Sequence, residues 1–348
     1  MKGEIYTINK WKGELRFNNG IDKISFGGIP DKTLAKIKSI VLPDSLEEIK
    51  AYDFRPVEDT LEKVILPKGL KRIKKESFRG FPKLKEVILP PSIEFIGDKA
   101  FHGCRSLTHV VIPKPSTSLQ ICDKAFADCV NLLYVELEEG FIEKTFLGDR
   151  VFENTAYLDE LRKKDPLVII QGEIIDGKRC RGDLIIPAHV KGVDIGAFSF
   201  NLDLTSVTLP KSAYINSYAF EGCSSLKKVV LPEDLRNLHE STFSGCTSLE
   251  EIVLPQNEEL TISGHVFENT PWLKKRQKEG EPTILNGWVI DGSTCKGEVH
   301  LSGIKGIAKY AFRLNHEITK VTIEEGCDLI SPMAFADFPA LKEVSLPS

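Results

Sequence analysis

The sequence of 348 residues lacks a long apolar run and an excess of charge of either sign. It contains no stretch of about 18 consecutive apolar residues, so no transmembrane helix and no membrane insertion are expected. The 46 Lys and Arg residues nearly balance 50 Asp and Glu residues, so bulk charge does not indicate a nucleic-acid partner. The first residues, 1–5, lack the apolar core of a secretory signal. We therefore expect either that the protein is not exported or that its leader lies outside this sequence.

Methionine and tryptophan are scarce, with two and three residues, whereas phenylalanine is abundant, with 19. Eleven phenylalanines, most of them preceded by a small residue, recur at intervals of 22 to 26 residues or about twice that interval. They are Phe54, Phe78, Phe101, Phe126, Phe152, Phe198, Phe220, Phe243, Phe267, Phe312 and Phe335. Such a period is typical of a repeat protein.

A second motif keeps the same period. Leu-x-x-Val-x-Leu-Pro precedes many of these phenylalanines, with its valine or isoleucine at Val64, Val87, Val110, Val207, Val229 and Ile252. The motif predicts a short strand whose first, fourth and sixth residues face inward. The proline cannot donate to a strand ladder and therefore ends the strand.

A repeat of about 23 residues cannot bury its apolar face alone, so successive repeats must stack and align like residues through one core. We therefore predict a β-dominated α/β solenoid of about 15 turns, with the phenylalanines aligned along it. No linker interrupts the period, and this indicates a single domain over residues 1–348. Residues 1–36 are expected to form partial, capping repeats.

A longer period of 115 residues is superimposed on the short one. Val-Phe-Glu-Asn-Thr occurs at 151–155 and at 266–270, and each copy is followed by a lysine-rich stretch and by Ile-Asp-Gly. Thr270 before Pro271 is typical of a helix start. We predict two double repeats, 151–197 and 266–311, each with a short inserted helix and a small β excursion.

The repeat unit Leu-x-x-Val-x-Leu-Pro-x-x-Leu-x-x-Ile-x-x-x-Ala-Phe-x-Gly-Cys-x-x-Leu, as at 84–107 and 226–249, resembles the BspA-like leucine-rich repeats of bacterial surface proteins. The resemblance covers essentially the whole chain. It implies a curved, right-handed leucine-rich repeat superhelix, without catalysis or cofactors, that binds proteins. It also implies a cell-surface or secreted protein of a gut bacterium that mediates adhesion or contact with host or neighbouring cells. A cytoplasmic location is the alternative.

The candidate metal-binding and catalytic residues favour structural roles. Cys104, Cys129, Cys223 and Cys246 each follow a periodic phenylalanine by three residues, where other repeats have Thr or Asn. These residues are expected to bond the backbone of the turn rather than to form disulfides. No Cys-x-x-Cys or His-x-x-x-His spacing indicates zinc. No motif selects a catalytic group. We predict no catalytic residues and no metal site.

Side-chain alternation along the strands indicates a candidate binding surface. The outward position between the inward residues holds Val41, Ile65, Ile88 and Val111 on consecutive turns, and the outward column beside it holds Lys63, Glu86, His109 and Tyr134. β-Propensity alone accounts for the first set; alternatively, the set forms an apolar stripe on a concave face. We predict these eight residues as the surface that binds a protein partner.

Two alternatives stay open for function and one for assembly. A rigid spacer of the cell envelope would have the same repeats and bind nothing. A glycan-binding module would expose aromatic residues, but Tyr134 is the one aromatic residue of the predicted concave columns. The chain stops at Leu346, Pro347 and Ser348, directly after a strand, and an open strand edge indicates possible end-to-end self-association.

Overall fold

The computed structural model describes residues 6–137 and 145–346 and divides the chain into two compact units, 1–164 and 165–348. Each unit is a β-solenoid, and the two together hold about 14 turns, close to the predicted number. The predicted fold class is confirmed. The single domain over residues 1–348, with capping repeats over 1–36, stays a prediction. Pro347 and Ser348, part of the predicted self-association site, lie outside the described residues.

Unit 1, residues 1–164, contains two sheets. Its strands are β1 (Tyr6–Asn9), β2 (Glu14–Phe17), β3 (Ser39–Val41), β4 (Glu48–Ile49), β5 (Lys63–Ile65), β6 (Arg72–Ile73), β7 (Glu86–Ile88), β8 (Phe95–Ile96), β9 (His109–Ile112), β10 (Leu119–Ile121), β11 (Tyr134–Leu137) and β12 (Thr145–Leu147). The first sheet has the order β1-β2-β3-β5-β7-β9-β11, and the second has the order β12-β10-β8-β6-β4. A turn is here called a rung, and from β3 onward each rung of unit 1 gives one strand to each sheet.

The first sheet is the one that the Leu-x-x-Val-x-Leu-Pro motif predicts. In β7 and its flanks, Leu84, Val87 and Leu89 are buried, whereas Ile88 is exposed. The second sheet was not predicted, because most of its strands are two residues long, as in β6, and so short a strand has no measurable period. Its inward residue, such as Ile73, is nevertheless fully buried.

The N-terminal hairpin closes one edge of the first sheet of unit 1. Strand β1 pairs antiparallel with β2, whereas β2 and the strands after it pair in parallel. Trp11 lies fully exposed at the tip of this hairpin and does not cover the first rung. Strand β1 supplies the backbone partners of β2, and its four residues make the free edge of the sheet short.

Unit 2, residues 165–348, contains several short sheets. Its strands are β13 (Val168–Ile170), β14 (Glu173–Asp176), β15 (Gly182–Ile185), β16 (Gly192–Val193), β17 (Leu204–Thr208), β18 (Tyr214–Ile215), β19 (Lys228–Val230), β20 (Asn237–Leu238), β21 (Glu251–Val253), β22 (Thr261–Ile262), β23 (Thr283–Leu285), β24 (Trp288–Asp291), β25 (Gly297–Leu301), β26 (Gly306–Ile307), β27 (Ile318–Ile323), β28 (Leu329–Ile330) and β29 (Glu343–Ser345). The sheet orders are β15-β17-β19-β21, β25-β27-β29, β13-β14-β16-β18, β20-β22 and β23-β24-β26-β28.

The predicted β excursions of the two double repeats are antiparallel hairpins. Strand β13 pairs with β14, and β23 pairs with β24. The two-residue turns, Gln171-Gly172 and Asn286-Gly287, have positive φ at both positions. This backbone matches the twist of the flanking strands, and an asparagine or glycine adopts it with little strain.

The inserted helices of the double repeats are also present. Helix α2 (Ala156–Lys164) spans nine residues, and α3 (Pro271–Lys274) spans four. The predicted start of α3 is confirmed, because the Thr270 hydroxyl accepts a hydrogen bond from the Leu273 N–H at 3.2 Å. Helix α1 (Asp31–Leu34) and a 3-10 turn (Arg55–Val57) were not predicted, since neither has a periodic apolar face.

The periodic phenylalanines form stacked columns within each unit, one in unit 1 and two in unit 2, here together called the spine. In unit 1, the ring centroids of Phe78 and Phe101 lie 5.1 Å apart, as do those of Phe101 and Phe126. In unit 2, Phe198 stacks on Phe220 at 4.8 Å. All the spine phenylalanines are buried except Phe335, which is partly buried. The prediction that these rings align rung upon rung is confirmed within each unit.

The position three residues after a spine phenylalanine bonds the turn backbone, as predicted. The Cys104 thiol donates to the Phe78 carbonyl at 3.0 Å, and Cys246 donates to the Phe220 carbonyl at 3.1 Å. Asn201 occupies the same position and donates to the carbonyls of Gly177 and Cys180. The cysteines of the described residues are free thiols, and the four at this position each donate to a main-chain carbonyl.

Candidate functional site

The candidate site lies on the outward side of the first sheet of unit 1. Parallel register places Lys63 beside Glu86, Glu86 beside His109 and His109 beside Tyr134. The second outward column places Ile88 beside Val111 and Val111 beside Glu136. We call this surface the first-sheet face. It consists of Lys63, Ile65, Glu86, Ile88, His109, Val111, Tyr134 and Glu136.

The exposed apolar part of this face is smaller than predicted. The exposed fractions are 43% for Ile65, 54% for Ile88 and 62% for Tyr134, whereas Val111 is half-buried. The prediction that Val41 belongs to the exposed stripe is wrong, because Val41 is only 8% exposed. Its register neighbours are Arg16 on β2 and Ile65 on β5.

A row of polar side chains borders the exposed isoleucines. Lys63 Nζ lies 3.9 Å from Glu86 Oε2, and Glu86 Oε1 lies 3.3 Å from His109 Nδ1. The other ring nitrogen of His109, Nε2, lies 2.9 Å from Glu136 Oε1. The histidine therefore bridges two carboxylates on neighbouring strands, and both of its nitrogens can donate only when the ring is protonated.

Glu136 belongs to this arrangement but was missing from the predicted site. It occupies the same outward column as Val111, one strand further along. Strand alternation therefore indicated that Glu136 faces outward, but Glu136 was not included because the predicted stripe consisted of apolar residues. The Tyr134 ring meets His109 edge to face, with 6.4 Å between the centroids. Tyr134 thus lies beside the charged row rather than apart from it.

A second charged row lies one residue before the strands of this sheet. Glu62 binds Lys38 at 3.4 Å and Lys85 at 2.6 Å, which are its counterparts on the neighbouring rungs. The hydrogen bond from Lys85 lowers the pKa of the Glu62 carboxyl from its ordinary value. Pairing across rungs holds these long side chains in fixed positions beside the first-sheet face.

The basic runs that follow the two helix starts are largely engaged within the chain. Arg162 binds Asp159 at 3.0 Å, and Lys275 binds Glu250 at 3.0 Å. The Arg276 guanidinium lies 3.7 Å from the centroid of the Trp272 ring. Such contacts are typical of a solvated helix face, and they leave little free charge for an acidic partner.

The described residues contain no cluster of three or more histidine, cysteine or acidic side chains that could hold a metal ion. Within the same residues, no helix combines the length and the apolar character needed to cross a bilayer. The first-sheet face itself offers contact area, charge and hydrogen bonds.

Rungs of two short strands around a shared apolar core define a leucine-rich repeat β-solenoid module. The model of the BspA type leucine rich repeat region, in six copies, matches residues 31–159, 170–296 and 292–348. These ranges cover most of the sequence, so the chain belongs to the BspA-type leucine-rich repeat family. Proteins of this family are generally non-catalytic and are often found at the cell surface.

Several solved bacterial structures resemble the chain. A leucine-rich repeat protein from Bacteroides ovatus is 20% identical over 97% of this chain and 92% of its own, with a TM-score of 0.39. A leucine rich cell surface protein from Faecalibacterium prausnitzii is 17% identical over 99% and 92%, with a TM-score of 0.34. A leucine-rich repeat protein from Eubacterium ventriosum is 16% identical over 96% and 80%, with a TM-score of 0.41. Comparison with curated proteins gives no significant match.

Proposed function

We propose that the chain is a non-catalytic module that binds a protein through the first-sheet face. The partner presents an apolar side chain bordered by a basic one. The apolar side chain packs on Ile65 and Ile88, and the basic one binds Glu136. The carrying observation is the exposure of two isoleucines on adjacent strands beside a fixed row of charges.

Burial supports the apolar half of this proposal. A β-sheet face that only meets water usually carries polar residues, so neighbouring exposed isoleucines indicate a contact surface. Covering Ile65 and Ile88 removes apolar area from water, and the burial of one such side chain stabilises a complex by about 1.5–3 kcal/mol at most. The two isoleucines are therefore the anchors of the proposed contact.

Charge supports the polar half. Glu136 is bound to His109 through Oε1, yet its side chain is 64% exposed. It lies at the last rung of the row, where a basic side chain of a partner has access to it. Because the Glu86–His109–Glu136 contacts hold the carboxylates in place, binding immobilises few additional side chains, which lowers the entropic cost.

We place the module at the bacterial surface, where it mediates adhesion to a host or neighbouring cell. The family supports this location, since BspA-type proteins are often cell-surface proteins. Digestion of intact cells of the source bacterium with an added protease tests it. The account expects loss of the protein from intact cells, whereas survival until lysis contradicts a surface location.

Competition cross-linking tests the contact surface. A chain with p-benzoylphenylalanine in place of Tyr134 is irradiated on intestinal epithelial cell-surface extract, with unlabelled chains added as competitors. We expect a saturable adduct that the wild-type chain abolishes. The double variant Ile65→Asp/Ile88→Asp should compete at least about tenfold more weakly, because two charges replace the anchors.

The matched control is Ile185→Asp/Val253→Asp, which makes the same changes at exposed positions of unit 2. This control should compete like the wild-type chain, and both double variants should keep the wild-type melting temperature because they change exposed side chains. Full competition by Ile65→Asp/Ile88→Asp contradicts the proposed surface. The absence of any saturable adduct contradicts the protein-binding function and favours a rigid spacer.

A further inference from the structure

The spine of unit 2 is interrupted at its second hairpin. Phe267 packs against Trp272 with 4.5 Å between the ring centroids, and Phe312 stacks on Phe335 at 5.2 Å. The rung between Phe267 and Phe312 holds Gly292, which is buried against Phe312: a Cβ on this glycine would lie 2.0 Å from Phe312 Cδ1. This rung therefore adds no ring to the spine.

A cavity of about 170 Å³ lies beside this interruption. Its floor is apolar and includes Val266, Phe267, Ile290 and Ala311. A cavity of about 150 Å³ holds one benzene molecule in another protein. The available space therefore fits one six-membered ring.

The rim of the cavity is polar and carries both charge signs. Glu268 and Asp291 supply carboxylate oxygens, and Arg313 and His265 supply N–H donors. Glu268 binds His265 Nδ1 through Oε2 at 2.9 Å. Asp291 accepts hydrogen bonds from Gln277 and Ser293. These contacts hold the two acids in position at the mouth.

Two aromatic rings form one wall. The His265 ring lies 4.7 Å from the Tyr310 ring, centroid to centroid. The guanidinium of Arg313 lies 5.2 Å from the Tyr310 centroid, and its Nε lies 3.6 Å from Asp337 Oδ2. The donors of the rim are thus anchored on an aromatic wall.

The repeat pattern does not require these side chains. In the first double repeat, the positions of His265, Tyr310 and Arg313 hold Arg150, Gly196 and Ser199. The backbone at position 310 is left-handed, with φ of 65°, as it is at the equivalent positions 52, 218 and 265 of other rungs. Compared with the first double repeat, the second thus carries a histidine, a tyrosine and an arginine at these three positions, so this lining differs between the two copies.

We propose that this cavity binds one pyranose ring of a neutral saccharide. The apolar floor takes the C–H face of the sugar, and its hydroxyls bond Glu268, Asp291 and Arg313. Mixed donors and acceptors of both charge signs fit a neutral polyol. An apolar ring of the same size would form no hydrogen bond with these groups, so the polar rim favours the polyol.

This site is independent of the proposed protein contact, which lies in unit 1. The two proposals can therefore be contradicted independently, because substitutions on the first-sheet face leave the residues of the cavity unchanged. The Ile65→Asp/Ile88→Asp chain is therefore one control for saccharide binding.

Saturation-transfer NMR on the full chain tests the proposal with methyl glycosides of D-glucose, D-galactose, D-mannose and N-acetyl-D-glucosamine. At least one should receive saturation and bind saturably. Glu268→Gln and Arg313→Ala should each weaken that binding at least about tenfold, because each removes a charge-assisted hydrogen bond. Ser293→Phe should abolish it by covering the mouth.

Arg236→Ala, which removes an exposed ion pair with Glu259 in the same unit, should bind like the wild-type chain, as should Ile65→Asp/Ile88→Asp. Thermal unfolding verifies that each variant is folded. If Arg313→Ala does not fold, the conservative Glu268→Gln still tests the proposal. If none of the four glycosides receives saturation from the protein at a concentration of about 10 mM, which detects even weak binding, the proposal is overturned. Equal binding by Ser293→Phe, or binding of L-leucine in place of the sugars, overturns it as well.

Discussion

The residue three positions after a spine phenylalanine determines how each turn closes. Cys104 uses its thiol as a donor to a carbonyl of the preceding rung, Asn201 uses its amide, and Thr270 caps a helix with its hydroxyl. These side chains share small size and a polar atom near the backbone. Burial, together with the neighbouring Cys129 thiol, raises the pKa of the Cys104 thiol well above its ordinary value. This thiol therefore stays protonated, and a donor, at neutral pH.

Replacing Cys104 tests this role at the residue scale. Cys104→Ala leaves the Phe78 carbonyl without its sulfur donor and should lower the free energy of unfolding by about 1–3 kcal/mol. Cys104→Ser keeps a hydrogen-bond donor, so its free energy of unfolding should fall by less. Urea unfolding of the two variants measures the difference. Equal losses would show that the sulfur contributes volume rather than a hydrogen bond.

At the scale of elements, the double repeat shows how a hairpin enters a stacked solenoid. Asn286-Gly287 closes β23 and β24, and Gly292 then brings the backbone directly against the Phe312 ring. The rung therefore stacks by a glycine where other rungs stack by a phenylalanine. The same relation holds at Gly177, where a Cβ would lie 2.1 Å from Phe198 Cε1.

Gly292→Ala tests the packing of this glycine against the Phe312 ring. The added methyl overlaps the Phe312 ring, and overpacking of a filled core should destabilise the chain by about 1–3 kcal/mol or more. Gly69→Ala is the control, because a Cβ there lies 3.5 Å from the Asp44 carbonyl oxygen, an ordinary contact. Thermal unfolding should show a clear loss for Gly292→Ala and little change for Gly69→Ala. The reverse order would contradict the stacking role of Gly292.

Elements with several patterned residues could be predicted from the sequence, whereas elements with one patterned residue could not. Strands β3, β5, β7 and β9 were predicted because three apolar positions and a proline mark each of them. The two-residue strands such as β6 were missed, since they offer a single inward residue. The burial of Val41 was not predicted, because alternation along one strand does not report what covers the outward side of that strand.

At the scale of the whole chain, the 23-residue period accounts for the core of each unit. A column of one residue type recurs because every rung presents the same environment to the next. The site is less predictable than the core. The first-sheet face follows from strand alternation, except for Glu136. The saccharide cavity had no motif, because its lining residues come from the stretches 263–273, 290–293 and 310–314, which only the fold brings together.

Ring-to-ring nuclear Overhauser effects test the stacked spine most directly. In a deuterated chain with protonated phenylalanine rings, the account predicts sequential effects from Phe78 to Phe101 and from Phe101 to Phe126, whose centroids lie 5.1 Å apart. Phe101→Leu should remove both effects together, because it takes away the shared ring. Spine rings that show effects only to unrelated residues would contradict the stacking of rungs, and the first-sheet face and the cavity would lose their basis.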